Sequence, residues 1–208
     1  MPTTEFTSDK RAGFGQIRTV KTRGAFILRE NTGTSGLEQT VRAALSILTE
    51  QDIPHLIVGG LAVQEHGYFR VTLDADIVVP DVLKAVELLT ADLSGPFQKE
   101  PGIDDTVRDK RNGVQVNFLP AGRPLGPNCK ISFPTPECVS EEPQFVTLEQ
   151  LISLKLDSWS GQPNSRLKDK ADVVELIQAL KLPRDLTVAE AIRPLYQETW
   201  DALQKERK

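Results

Sequence analysis

Cysteine is scarce in this sequence, and the spacing of the two cysteines excludes most structural metal sites. Only Cys129 and Cys138 occur among the 208 residues, and neither a Cys-x-x-Cys motif nor a neighbouring histidine accompanies them. A structural zinc site normally needs four Cys or His ligands. We therefore interpret the pair as free thiols of a reducing compartment, with a local disulfide as the alternative.

Long apolar runs are absent as well. No stretch approaches the ~18 consecutive apolar residues that span a bilayer, and residues 1–15 lack the apolar core of a signal peptide. We expect a cytoplasmic protein that does not contact membranes.

An overall excess of positive charge is also missing. The formal net charge of −4 argues against a cationic surface that grips nucleic acid along its whole length. Residues 1–35 are the exception, because basic side chains outnumber acidic ones there. We predict a partly ordered N-terminal basic arm in which only residues 23–29 resemble a strand. The arm either contacts RNA or is a solvated tail.

The apolar periodicity after residue 35 predicts an α/β (α+β) fold in which helices flank a mixed β-sheet. We divide the chain into the basic arm at 1–35, a core at 36–143 and a C-terminal helical region at 144–208. The predicted elements of the core are helices at 37–53, 61–66 and 81–93 and strands at 55–58, 71–79 and 113–119. A Pro-rich connection, 120–143, follows with at most one more strand.

The helical region contains two matches to a capping box, in which side chains satisfy the free amides that open a helix. Thr147 with Gln150 is the first match, and Thr187 with Glu190 is the second. Residues 166–180 repeat apolar side chains with the helical period, and we expect Val173, Leu176, Ile177 and Leu180 to be buried. Pro194 is expected to kink or restart the final helix.

Residues 55–80 contain the residues that point to chemistry. Gly59 and Gly60 lie between a predicted strand and a helix, where they allow a phosphate to approach backbone amides. Asp74 and Asp76 are two positions apart on the next strand and therefore project from one face. Leu73, Ala75 and Ile77 are expected to project from the other face.

Two adjacent carboxylates are unfavourable unless a cation separates them, because repulsion raises the pKa of one of them. Magnesium prefers one or two carboxylates together with substrate phosphates. The spacing of Asp74 and Asp76 therefore predicts a Mg²⁺ or Mn²⁺ site that holds a nucleoside triphosphate.

Gly59-Gly60 followed by Arg70-x-Thr72-x-Asp74-x-Asp76 resembles the signature of the DNA polymerase beta-like nucleotidyltransferase superfamily, and most closely its AbiEii/AbiGii toxin type. That type also carries a lysine and an Arg-x-Lys-Asp-x-x-Asp-like run on downstream helices. The residues that match this second motif are Lys155, Arg166, Lys168, Asp169 and Asp172.

The resemblance implies a nucleotidyltransferase fold and the transfer of a nucleoside monophosphate from an NTP to a hydroxyl of tRNA, protein or a small molecule. It also implies a role as the toxin of a toxin-antitoxin or phage-defence pair, with a cognate antitoxin as partner. In this scheme Asp74 and Asp76 bind the metal, Gly59 and Gly60 line the phosphates, and Lys155 reaches the triphosphate. The remaining candidates for contact with the nucleotide are Arg70, Thr72, Lys168, Asp169 and Asp172.

Structural interpretations compete with several of these roles. Arg70 also suits an ion pair with a carboxylate that orients the loop. Thr72 also suits the place of an ordinary β-branched strand residue. Lys168 and Asp172 have the spacing of a helical surface ion pair, and the stem of Lys155 suits an apolar helix face.

Asn117 departs from the superfamily pattern, which places a third carboxylate at this position of a later strand. An amide can contact a metal or a nucleotide but cannot accept the proton of an incoming hydroxyl. Several interpretations stay open: Asp104, Asp105 or Asp109 substitutes, two acids suffice, or the aspartate was deliberately replaced. A last interpretation is a catalytically silent module that binds a nucleotide or a partner.

Overall fold

The computed structural model describes residues 35–137, 139–140 and 142–206. The predicted basic arm, apart from Ser35, and Cys138 lie outside the described residues. Cys129 is a free, half-buried thiol.

The centre of the molecule is a mixed five-stranded sheet with the strand order β1-β2-β5-β4-β3. Its strands are β1 (Leu56–Val58), β2 (Asp74–Val79), β3 (Phe97–Lys99), β4 (Thr106–Asp109) and β5 (Gln115–Pro120). The central pair, β2 and β5, is parallel, and all other pairs are antiparallel. The predicted fold class, an α/β protein with a mixed sheet flanked by helices and a helical C-terminal part, is confirmed.

Helices cover both faces of this sheet. They are α1 (Gly36–Glu50), α2 (Gly59–Glu65), α3 (Val82–Thr90), α4 (Leu148–Gly161), α5 (Leu167–Leu180) and α6 (Arg193–Glu206). None of the described helices is both long and apolar enough to cross a membrane.

One face of the sheet packs against α1 and α3. The Ser35 side chain accepts a hydrogen bond from the Glu38 amide and caps α1. Val41 and Leu48 of this helix are fully buried, together with Ala75 and Ile77 of β2. Complete burial of each large aliphatic side chain stabilises the fold by about 1.5–3 kcal/mol.

The other face packs against α2 and the three C-terminal helices. Val58 and Val78 share this second core with Leu151, Leu176 and further side chains of α4, α5 and α6. The chain enters the helical region beside β1, because the Ile57 amide donates to the Gln144 carbonyl and the Val146 amide donates to the Ile57 carbonyl. The helical region therefore lies directly on the sheet that presents the two aspartates.

The sequence pattern missed β3 and β4. These strands have only three and four residues, which is too short for a recognisable period. They are defined by pairing with each other and with β5, and a single sequence does not reveal such contacts.

The prediction for the start of β2 was wrong. The strand begins at Asp74, opposite Gln115 of β5, and not at Val71. Leu73 lies before the strand and is 78% exposed, so it does not share the buried face of Ala75 and Ile77. Two further boundaries differ from the prediction. The helix α2 begins at Gly59 and not at residue 61, and the strand β5 begins at Gln115 and not at residue 113.

Two predictions for the C-terminal helices were also wrong. Leu180 is 38% exposed at the end of α5. Thr187 and Glu190 do not open a helix, since α6 begins at Arg193. The Ala189 amide instead donates to Ser153 Oγ of α4 at 3.0 Å. The Thr147 cap of α4 and the restart of the chain as a helix near Pro194 are confirmed.

Candidate active site

The first turn of α2, which follows β1 directly, presses closely against β2. Gly59 has a φ of +63°, and a Cβ atom at this position would collide with Asp76 Oδ2. A Cβ atom at Gly60 would likewise collide with the Thr72 hydroxyl. Gly59 is therefore required by both its backbone conformation and the available space, whereas Gly60 is required by space alone.

Asp74 and Asp76 lie on the same face of β2 and line one cleft. Asp74 Oδ1 accepts a hydrogen bond from the Thr72 hydroxyl at 3.1 Å. Asp76 Oδ1 accepts one from Asn117 Nδ2 at 3.0 Å, because Asn117 lies directly opposite on β5. The structure thus brings the two predicted metal ligands together beside the glycine turn.

The pKa of Asp76 is raised above its ordinary value. Burial is the main cause, and the charge of Asp74 adds to it, while the hydrogen bond from Asn117 acts in the opposite direction. Within the described part of the chain, no lysine or arginine forms an ion pair with either carboxylate. Among the described residues, the nearby charge of Lys155, which does not form an ion pair with Asp76, also acts to lower the pKa of this carboxyl.

The two carboxylates fit a divalent cation that arrives with phosphates. Among the described residues, no group of three or more His, Cys, Asp or Glu side chains forms a complete metal cage. Magnesium does not need one, because it is usually held by one or two carboxylates, water and substrate oxygens. A cation bound by Asp74 and Asp76 would offset their mutual repulsion, which adds to the effect of burial on the pKa of Asp76.

A compact ion-pair cluster borders the aspartates. Arg70 donates to both oxygens of Asp172, at 2.6 and 2.9 Å. Lys155 Nζ lies 2.7 Å from Asp172 and 2.8 Å from Asp169, which also accepts a hydrogen bond from Ser158. Two cations and two carboxylates leave this cluster formally neutral.

Asp172 is fully enclosed in this cluster. It is 1% exposed and does not line the cleft, whereas Arg70, Lys155 and Asp169 do. Burial by itself raises the pKa of Asp172, but the hydrogen bonds from Arg70 and Lys155 and their charges outweigh it and hold the pKa below its ordinary value. Asp172 pairs with Arg70 and Lys155, so the helical ion pair with Lys168 considered above does not form.

Arg166 and Lys168 supply unneutralised positive charge at the mouth of the cleft. Both side chains are exposed at the start of α5 and line the cleft. Neither takes part in an ion pair with another described residue. They are therefore free to attract an anionic ligand.

The rest of the cleft is mixed in character. Asp105 and Thr106 line the cleft at the start of β4, and a wall of apolar side chains completes it. The side chains of that wall are Val58, Leu119, Leu125, Phe133, Leu151 and Leu154. The cleft has a volume of about 410 Å³, which is within the range of small-molecule sites.

The Pro-rich connection contributes Leu125 and Phe133 to this wall because α4 holds it in place. Asp157 of α4, which is 1% exposed, accepts hydrogen bonds from the amides of Lys130 and Ile131, both at 2.7 Å. The loop is thereby attached to α4.

No protein-family model matches this sequence, and no curated protein sequence matches it. Among solved structures, the fold is similar to the antibiotic-resistance factor ANT(2'')-Ia in solution, with 13% identity, a TM-score of 0.46 and coverage of 81% of this chain and 92% of that chain. The crystal structure of ANT(2'')-Ia in complex with adenylyl-2''-tobramycin gives 13% identity, a TM-score of 0.47 and coverage of 80% and 97%. JHP933 from Helicobacter pylori gives 14% identity, a TM-score of 0.36 and coverage of 81% and 90%. TM-scores below 0.5 do not establish a shared family, so the function of this chain is inferred from its own residues.

Most of the predicted site residues meet in the cleft. The predicted residues that line it are Gly59, Gly60, Arg70, Thr72, Asp74, Asp76, Asn117, Lys155, Lys168 and Asp169. Asp172 is the exception: it is buried against Arg70 and Lys155 and does not line the cleft. The two histidines are remote: His55 is buried with Nδ1 at 2.9 Å from the Ile53 carbonyl oxygen, and His66 Nε2 is 2.8 Å from that of Val146.

Sequence reasoning did not single out Arg166, Ser158 or Thr106 as site residues. Arg166 belongs to the recognised helical motif, and that motif was the available signal. Ser158 and Thr106 carry no sequence signal, because their place in the cleft depends on helix packing and on the pairing of β4 with β5.

Proposed function

We propose that this chain is a magnesium-dependent nucleotidyltransferase that moves a nucleoside monophosphate from an NTP to a hydroxyl acceptor. The single observation that carries the proposal is the position of Asp74 and Asp76, which lie unpaired with any described lysine or arginine beside the Gly59-Gly60 turn. A pair of carboxylates next to a backbone that admits phosphate suits a metal-bound triphosphate.

The charges around the aspartates suggest how the NTP is held. Arg70 and Lys155 are already neutralised by Asp169 and Asp172. Among the described residues that line the cleft, Arg166 and Lys168 are therefore the cations available to the phosphate oxygens. The tight packing of Gly59 against Asp76 keeps the turn and the carboxylates in register. In this scheme Asp172 positions Arg70 and Lys155 and does not touch the nucleotide.

Asp74 and Asp76 would hold the Mg²⁺ or Mn²⁺ ion. When bound, such an ion neutralises the phosphates and lowers the pKa of an oxygen nucleophile. The side chains that line the cleft orient the α-phosphate, and the apolar wall limits the access of water to this phosphate. Restricted access of water favours transfer over hydrolysis.

We also propose which class of molecule accepts the nucleoside monophosphate. The resemblance to the AbiEii/AbiGii type favours tRNA, protein or a small molecule as the acceptor and a toxin role with a cognate antitoxin. The basic arm at 1–35 would then be the part of the chain that contacts RNA.

The proposal is tested by calorimetry of Mg²⁺ and NTP binding, followed by incubation with α-labelled NTPs and total tRNA, cell extract or small hydroxyl compounds. We expect label transfer by the wild type and its loss in Asp74→Asn and Asp76→Asn. Asp201→Asn, which changes a remote surface ion pair with Arg184, serves as the matched control. Equal label transfer by all four proteins would contradict the proposal.

A second candidate is a catalytically silent module that binds nucleotide or a partner. Asn117 favours it, since this amide occupies one oxygen of Asp76 and cannot accept a proton. The same experiment separates the two candidates, because the module binds magnesium and NTP without transferring label.

A further inference from the structure

Three aspartates precede or end β4, and the structure separates them. Asp109 is fully buried and is bound by the Thr40 hydroxyl at 2.6 Å and by Arg111. Asp104 is exposed and does not line the cleft. Asp105 is exposed and lines the cleft together with Asp74 and Asp76.

The sheet places Asp105 on the far side of Asn117 from the metal-binding pair. Asp76 is opposite Asn117, and Asn117 is opposite Thr106 on the next strand. Two strand spacings, about 10 Å between backbones, therefore separate Asp76 from Thr106. Asp105 and Asp76 line the same cleft of about 410 Å³, which can hold a phosphorus atom and an attacking oxygen about 3–3.5 Å apart.

The backbone and side chain of Asp105 are both held. Its carbonyl accepts the Phe118 amide at 2.8 Å, which ties the residue to β5. Thr106 Oγ1 lies 3.1 Å from Asp105 Oδ1 and also 3.1 Å from Asn117 Oδ1. A hydroxyl has one proton, and an ionised carboxylate accepts it more strongly than an amide does. Thr106 therefore orients Asp105.

We infer that Asp105 is the proton acceptor for the attacking hydroxyl and takes the role that Asn117 cannot perform. The inference rests on the proposed nucleotidyl transfer. No described lysine or arginine forms an ion pair with Asp105, so one of its oxygens remains available to the acceptor.

The transfer is a displacement at the α-phosphorus. The acceptor hydroxyl gives its proton to the Asp105 carboxylate, and its oxygen forms a bond to the α-phosphorus of the NTP. The bond from that phosphorus to the oxygen bridging to the β-phosphate breaks, and pyrophosphate leaves with the electron pair.

The experiment is a steady-state comparison of four proteins: wild type, Asp105→Asn, Asn117→Asp, and the double variant. General-base catalysis typically contributes 10²–10⁴-fold, so we expect Asp105→Asn to lower kcat by about that factor. The KM for NTP should stay within about twofold. In the Asn117→Asp background the new carboxylate accepts the proton, so the same Asp105→Asn change should cost less than about tenfold.

Asp104→Asn is the matched control, since it removes a neighbouring exposed carboxylate that does not line the cleft; its kcat should stay within about twofold of wild type. Calorimetry of Mg·NTP binding and urea midpoints accompany each protein, and both should be unchanged in Asp105→Asn. Unchanged kcat in Asp105→Asn, or an equal loss in both backgrounds, overturns the assignment.

Failure of the proposed role of Asp105 can be distinguished from failure of the proposed function. Wild type that binds Mg·NTP but transfers nothing overturns the role of Asp105 and leaves a nucleotide-binding module. Wild type that neither binds nor transfers removes the proposed function, and the role of Asp105 falls with it.

Discussion

Asp76 and Asp172 are carboxylates in neighbouring regions with opposite electrostatic surroundings. Asp172 is 1% exposed and is held by two cations, which keep its pKa low. Asp76 is partly buried next to Asp74, without an ion pair to any described cation, and its pKa is raised. The difference teaches that a charge neutralised within the protein stabilises the scaffold, whereas a charge left uncompensated marks where a ligand supplies the missing cation.

The sharpest test of this contrast is Asp172→Asn. Removal of one partner from a buried ion pair leaves uncompensated charge and typically costs about 3–5 kcal/mol. We expect a loss of that size in the free energy of unfolding in urea. Glu190→Gln breaks an exposed pair with Arg193 and should cost less than about 1 kcal/mol. Similar losses in the two variants would contradict the structural role of Asp172.

The pH dependence of the same variant gives a second check. Because the folded pKa of Asp172 is lower than the unfolded value of about 3.9, the ionised form stabilises the fold above that value. Its contribution is lost as the pH falls through the folded pKa. The difference in unfolding free energy between wild type and Asp172→Asn should be constant from about pH 5 to 8 and shrink below about pH 4. A difference in unfolding free energy that grows as the pH falls would contradict the stabilising role of the ionised Asp172.

Gly59→Ala tests the other region. An Ala in the left-handed conformation costs about 1–2 kcal/mol, and its Cβ would also displace the Asp76 carboxylate. Gly102 has a comparable φ of +76° with nothing within 4 Å of an added Cβ, so Gly102→Ala is the matched control. We expect both variants to lose the stability that the backbone conformation costs, Gly59→Ala to lose at least as much as Gly102→Ala, and only Gly59→Ala to lose calorimetric binding of Mg·NTP. Retained binding would show that the turn does not support the site.

A smaller effect is expected when the free cations at the cleft mouth are removed. The double variant Arg166→Gln with Lys168→Gln should weaken NTP binding about tenfold, or about 1.4 kcal/mol. The difference should shrink as salt is added, because exposed charges are screened. Arg184→Gln, a remote exposed arginine, should leave the affinity unchanged. Loss of affinity that is independent of salt would argue against phosphate contact.

The smallest change is expected for the stability of Asp76→Asn in the absence of metal. This substitution removes a charge that burial disfavours, so the unfolding free energy should stay level or rise. The opposite signs of Asp76→Asn and Asp172→Asn in one urea series would confirm the comparison. A large loss in Asp76→Asn would mean that the charge of this residue stabilises the scaffold.

Much of the site could be predicted from local sequence. Residues two apart on a strand share a face, so Asp74 and Asp76 were expected to converge, and the glycine pair was expected where the chain passes from β1 into α2. The cleft contains nearly all of the predicted residues. The place of Asp172 could not be predicted, because its partner Arg70 is 102 positions away in the chain.

By itself, the sequence determined the alternation of the helices with β1, β2 and β5, the pairing of two carboxylates on β2 and the glycines that let Asp76 approach the start of α2. These features depend on residues within one element, where the geometry of a helix or strand fixes which side chains are neighbours. Only the tertiary structure decided which lysines and arginines are neutralised, which of the three aspartates around β4 faces the cleft and which side chains form the apolar wall. Those outcomes depend on strand order and helix packing between distant segments, and they set the local charge balance on which the proposed chemistry depends.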